Sequence, residues 1–212
     1  MKTRFVALAF SLVAVQAATA ALIPISYSML NGEFPLYSDE TYNNPGCSGS
    51  PYTLCGGLGQ LTDGVTVPSF FGGDNYFYMV GWGSNNITAT FYFDGTQNFG
   101  AVGLHLSDAH GQAGIGLPLT VTINAGSAQV FTPATQTGDN GNYWNWFDLA
   151  PGTAGSSISV RLDRNDALGP WMFMDEVSFL SAAEVSGAPE PGTVVLVASG
   201  LGLAAFLKRR RA

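Results

Sequence analysis

The chain has 212 residues, with 8 Lys and Arg against 15 Asp and Glu. The bases gather at the ends, and only Arg161 and Arg164 lie between, so residues 21–187 carry 14 acids and 2 bases, a formal charge of −12. Such a body repels phosphate backbones, which excludes nucleic acid as a partner; it accommodates Ca²⁺ as an oxygen-seeking cation and keeps an exported chain soluble.

Residues 1–20 read as a secretory signal peptide. Lys2 and Arg4 form a basic start, residues 5–15 are apolar apart from Ser11, and Ala18-Thr19-Ala20 has the small-x-small pattern that signal peptidase accepts. The apolar run is too short to span a membrane comfortably. The mature chain is expected to begin at Ala21, with one folded domain over residues 21–185.

Residues 21–60 are rich in turn signals: Asn31-Gly32, Asn44-Pro45-Gly46 and Gly56-Gly57 interrupt short apolar pieces. Cys47 and Cys55, the only cysteines, flank a Gly/Ser/Pro-rich loop. In an oxidising compartment they are expected to form a disulfide, contributing roughly 2–3 kcal/mol for so short a loop. Two cysteines without nearby histidines do not make a zinc site.

From residue 88 the pattern is that of strands. Residues 88–93 are β-prone and run into Asp94-Gly95, a turn pair; residues 101–106 form the next run. Residues 119–123 alternate, and Asn124-Ala125-Gly126-Ser127 turns the chain toward 128–131. Further strands are expected over 144–149, 157–162 and 171–180. No helical stripe appears between the two end segments. Many short strands with regular turns predict an all-β fold, an antiparallel sandwich or barrel.

The densest aromatic and polar patch is residues 142–148, Asn-Tyr-Trp-Asn-Trp-Phe-Asp. Strand alternation places Trp144, Trp146 and Asp148 on one face and Tyr143, Asn145 and Phe147 on the other. One face must supply core, so about half of these rings are packing. Aromatic rings stack on the apolar faces of sugars while polar neighbours fix hydroxyl orientation, which makes Trp144, Trp146 and Asn142 candidate ligand residues. His105, Asp108 and His110 lie at a strand end and in the loop after it. His110 is the better ligand candidate and His105 reads as a strand residue. No phosphate loop, nucleophile elbow or reactive cysteine is present in the sequence. Asp175-Glu176 are adjacent, so in a regular strand they face opposite sides and cannot work as a glycosidase pair. A non-enzymatic role is expected.

The chain ends on Pro189-Glu190-Pro191, an apolar run to Leu207 and the cluster Lys208, Arg209, Arg210, Arg211. As a helix, residues 193–207 would cover roughly 23 Å, less than a ~30 Å hydrocarbon core, with the bases holding the end in the cytoplasm. This tripartite ending resembles the PEP-CTERM sorting signal and is assigned to residues 186–212. The resemblance implies recognition by an exosortase, transient anchoring in the inner membrane, cleavage near the motif, and a Gram-negative host that makes an exopolysaccharide.

A second resemblance covers roughly residues 25–180. Leu61-Thr62-Asp63-Gly64, Gly81-Trp82, the runs 88–94 and 102–106, Gly114-Ile115-Gly116-Leu117-Pro118, Val121-Thr122-Ile123, Val160-Arg161-Leu162 and the stretch 171–177 follow in the order of the galactose-binding-like jelly roll. Discoidin domains and many bacterial carbohydrate-binding modules share that fold. The resemblance implies a structural Ca²⁺ held with the help of Asp63 and Glu176. Together these readings give an exported surface or extracellular-matrix protein whose β-sandwich binds carbohydrate such as exopolysaccharide; the alternative is a structural or adhesive biofilm-matrix protein without a specific small ligand.

Overall fold

The computed structural model describes residues 21–182 except 34, 45–46, 48–51 and 84–85. The expected signal peptide, the Pro189-Glu190-Pro191 motif and the helix over 193–207 lie outside the described residues.

Nine strands are described: β1 Ser26–Leu30, β2 Thr53–Gly57, β3 Val80–Trp82, β4 Ile87–Asp108, β5 Thr120–Asn124, β6 Ala128–Phe131, β7 Gly141–Asp148, β8 Ala154–Asp163 and β9 Met172–Ser181. They form two antiparallel sheets. The first has the order β2-β1-β4-β8-β5-β6, and the second is β3-β9-β4-β7. The expected antiparallel sandwich is what the chain forms.

Strand β4 belongs to both sheets. Its first half pairs with β1 and β8, and its second half with β9 and β7. The expected break at Asp94-Gly95 is therefore not a hairpin. The register with β8 slips between Tyr92 and Gln97, and Gly95 sits at φ 75°. Glycine adopts that conformation at little steric cost, so the pair makes a bulge at which one strand bends from sheet to sheet. The 21–60 region is also more ordered than its turn signals imply, since β1 and β2 pair there. The disulfide between Cys47 and Cys55 is formed, with Cα atoms 5.3 Å apart.

The main core lies between the sheets. Phe91, Ile123, Ile158 and Val160 of the first sheet meet Val102, Leu104, Phe147, Val177 and Phe179 of the second. The Phe91 and Phe179 rings touch across the layer at 5.0 Å. Tyr27, also in this core, donates its hydroxyl to the buried Asp39 carboxylate. Burial and then the Asp39 charge push the Tyr27 phenol far up, so it stays protonated and serves as the donor.

A second, smaller core lies outside the second sheet. Val67, Met79, Ala109, Ile115 and Phe173 form it, with Phe70 and Trp171 packed against it. The loop between η-turns at Gln60–Thr62 and Asn75–Tyr78 runs over this side. An additional layer thus covers part of the outer face of β3-β9-β4-β7, and the functional candidates gather beside it.

Candidate functional site

The outer face of the second sheet can be read from its register as a grid of three rows across β7, β4 and β9. Trp144 pairs with His105, which pairs with Glu176; Trp146 pairs with Gly103, then Ser178; Asp148 pairs with Ala101, then Leu180. Alternation along β7 separates the aromatic residues as expected: Phe147 enters the core, while Trp144 and Trp146 emerge with 36% and 45% of their surface exposed.

The two indoles form a platform. Their ring centroids are 5.5 Å apart and their planes differ by 21°. Gly103 explains why Trp146 lies flat. A Cβ built on Gly103 would fall 2.8, 2.8 and 2.9 Å from three consecutive atoms of the Trp146 benzo ring. Near-equal distances to three neighbouring ring atoms arise only when the ring presents its face. The indole therefore rests on bare backbone, and any side chain at 103 would lift it. A glycine inside a strand often marks such a close approach. The residue was not singled out from sequence, although its place inside an apolar run was a usable signal.

His105 joins this platform. Its ring packs against Trp144 at 5.1 Å, and its Nδ1 lies 2.6 Å from Asp175 Oδ1. The other oxygen, Oδ2, accepts the Val67 amide at 2.8 Å. Asp175, wholly buried, thus fixes both the imidazole beneath the platform and the loop beside it.

Asp175 and Glu176 leave β9 on the same side, against the expectation of opposite faces. Met174 and Val177 both belong to the main core, so the two residues between them both point outward. The register slip between the His105 and Leu106 pairings with β9 marks the bulge responsible. Both Asp175 oxygens are engaged, which makes this residue an anchor.

Glu176 Oε2 accepts the Gly64 amide at 2.7 Å, and Asp63 Oδ1 accepts the Val65 amide at 2.8 Å. The fold therefore brings the 63–65 turn and Glu176 together across 112 positions of sequence. Burial raises the Glu176 carboxyl to about 7, with the Asp63 and Asp175 charges adding to the rise and the Gly64 bond opposing it. Asp63 is raised as well, first by burial and further by Asp39 and Asp175. No Lys or Arg lies on this sheet: Arg161 is in β8, Arg164 follows it, and they pair with Asp163 and Asp166 at 2.7 and 2.6 Å. Glu176 is buried and Asp63 exposed, with no Lys or Arg beside them; two hard carboxylates with backbone carbonyls as further oxygen donors match the chemistry of a cation site. Among the described residues no three His, Cys, Asp or Glu side chains converge as a metal-ligand group.

The remaining candidates lie at the edges. Asn142 is buried; its Nδ2 donates to Val67 O at 2.9 Å, and its backbone N–H donates to Pro68 O at 2.9 Å. It ties the 67–79 loop to the start of β7. His110 sits beyond β4. Its Nδ1 is 3.2 Å from Asp108 Oδ1 and its Nε2 is 3.2 Å from Gly138 O, while Asp108 Oδ2 accepts the Gln136 amide. The Asp108–His110 pair thus clamps the 136–138 segment, and the histidine packed on the tryptophans is His105.

Residues 188–211 match the PEP-CTERM protein-sorting motif. Among solved structures, the chain is similar to a Streptococcus pneumoniae fucose-binding module, with 11% identity, a TM-score of 0.48, and coverage of 78% of this chain and 98% of that one. It is also similar to a chain from the Streptococcus pneumoniae beta-galactosidase BgaA, with 11% identity, a TM-score of 0.45, and coverage of 77% and 99%. No curated protein sequence matches significantly.

Proposed function

We propose that this is an exported protein of the bacterial surface or extracellular matrix whose sandwich binds carbohydrate, exopolysaccharide in particular, on the Trp144–Trp146 platform. The observation that carries the reading is the stacked, near-parallel pair of part-exposed indoles on the outer face, with Trp146 laid flat on the bare backbone of Gly103. Two large, rigid, exposed apolar rings on a sheet gain nothing from the main core, and such rings offer sugars a stacking surface. The sorting motif at 188–211 supports the address, with exosortase and signal peptidase as processing partners and a transient inner-membrane anchor before cleavage.

Calcium belongs to the same proposal. Asp63 and Glu176, with backbone carbonyls of the turn at 63–65, would hold it, and the ion would supply the positive charge that the buried Glu176 carboxylate lacks. Its part is structural: it would fix the 63–68 segment, which Asp175 and Asn142 already anchor to β9 and β7.

Affinity electrophoresis of the mature domain through gels containing host-envelope polysaccharide tests the reading. Retardation is expected for the wild type, with loss of most of it in Trp144→Ala and Trp146→Ala. Migration unaffected by any polysaccharide would overturn it in favour of a matrix component without a defined ligand.

A further inference from the structure

We infer that the platform selects glycans bearing free amines, polymers of de-N-acetylated hexosamine, over neutral or uronate-containing ones, and that Asp148 sets this preference. The inference rests on the platform being a glycan site and concerns which glycan it takes.

Three features of the outer face act in one direction. The first is the pair of indole faces. An aromatic face carries a negative quadrupole, so a cation above it is attracted in addition to any stacking of the sugar ring, most strongly for tryptophan. The second is Asp148, exposed on β7 and outward-facing two residues beyond Trp146. At the strand rise its Cα lies about 7 Å further along. A sugar stacked on Trp146 therefore places its substituents beside this carboxylate. The third is the absence of an opposing base. The only Lys or Arg among the described residues are Arg161 and Arg164, each ion-paired and neither on the second sheet.

His105 is the one basic side chain in contact with the platform, and its Nδ1 already faces the Asp175 carboxylate. It offers a uronate no free partner on that side. A uronate laid on the indoles meets like charge from Asp148 along β7. An ammonium at the same place meets an aromatic face and Asp148.

The size of the preference follows from exposure. Asp148 is open to solvent, and an exposed ion pair changes affinity by about fivefold at most. Contact with the indole faces adds a comparable factor. A preference of roughly fivefold to tenfold is expected at low salt, shrinking as salt screens it.

Isothermal titration of the mature domain with a glucosamine oligomer, its fully N-acetylated counterpart and an oligogalacturonate of equal length, at mildly acidic pH, tests this. The free-amine oligomer is expected to bind roughly fivefold to tenfold more tightly than the N-acetylated one, and the uronate not to bind. Asp148→Asn should cut the ratio of the two affinities by up to about fivefold, leaving the part due to the indole faces, and Trp146→Ala should abolish binding of both. Equal or tighter binding of the N-acetylated oligomer would overturn the amine preference and leave the platform reading standing. Undiminished binding of the amine oligomer by Trp146→Ala would overturn it too, because the attraction would then be diffuse charge. If none of the three oligomers binds, the inference fails, and retardation in host polysaccharide decides separately whether the platform reading fails with it.

Discussion

The two halves of β4 carry the same kind of sequence and end in different surroundings. From Ile87 to Phe93 the side chains alternate between core and solvent, with Thr88 and Tyr92 exposed. From Phe99 to Asp108 every residue is buried. The first half lies in a sheet whose outer face is open to water. The second half is covered again by Trp144, Trp146 and Glu176 and by the segment strapped down by Asp175 and Asn142. Burial on both sides of a strand in an antiparallel sandwich shows that something beyond the second layer has been built, and here that something is the candidate site.

The sharpest way to break this contrast is to remove the tether of the covered half. Asp175→Ala leaves His105 Nδ1 and the Val67 amide without their partner in a dry environment. Removing one member of such a buried pair costs about 3–5 kcal/mol, so a large fall in Tm is expected, measurable by calorimetry. If Asp175→Ala melted within a degree or two of wild type, the anchoring role would be wrong.

Gly103→Val is the next largest. The Cβ of the new side chain meets the ring of Trp146 first, and that ring can swing outward, so the fold should persist while the platform tilts. Retardation in polysaccharide gels should drop by up to about tenfold, in the range of a lost aromatic contact, with a red-shifted tryptophan emission. Tyr92→Ala on the open half should leave retardation unchanged. Equal losses from both substitutions would place binding elsewhere.

How far this was legible from sequence depends on whether a feature is local. Strand-prone runs between turn signals identified β5 to β9, and strand alternation placed Trp144 and Trp146 on one face, because both are local features of the sequence. The Cys47–Cys55 pair was readable from composition and compartment. Asp94-Gly95 was not, since the same dipeptide serves a hairpin and a bulge, and only pairing with β8 decides. The shared direction of Asp175 and Glu176 depends on a bulge opposite β4, which no pattern within β9 encodes. His105 and His110 differed in the sequence only by strand against loop. It took the register with β7 to set His105 beside Trp144.

Proton linkage on the covered half predicts a smaller effect. Glu176 titrates near 7 in the fold against 4.5 unperturbed. A carboxyl with a raised folded pKa binds its proton more tightly when folded. Its stabilisation is therefore full below pH 4.5 and is lost as pH rises through 7, by about 1–2 kcal/mol once solvent screening is allowed for. Ca²⁺ would act in the opposite direction, since it competes with the proton for the same oxygens. The rise in Tm on adding Ca²⁺ should therefore be larger above pH 7 than below pH 4.5. A Tm indifferent to Ca²⁺ and chelator at both extremes would remove the metal.

The smallest expected effect lies on the open half, and it makes the contrast quantitative. Arg161 Nε donates to Asp163 Oδ1 at 2.7 Å, a bond as short as most of those on the covered face. Yet the Arg161 side chain is about half exposed, at 52%. Water solvates each charge whether or not the pair forms, and ordering a long side chain offsets most of the attraction. Arg161→Ala should cost less than about 1 kcal/mol, and less still in high salt. The short distance therefore says little about energy here, whereas the 2.6 Å contact of His105 with Asp175 sits where no water can replace it. If Arg161→Ala proved as costly as Asp175→Ala, the difference between the two halves of β4 would lie in something other than the second covering.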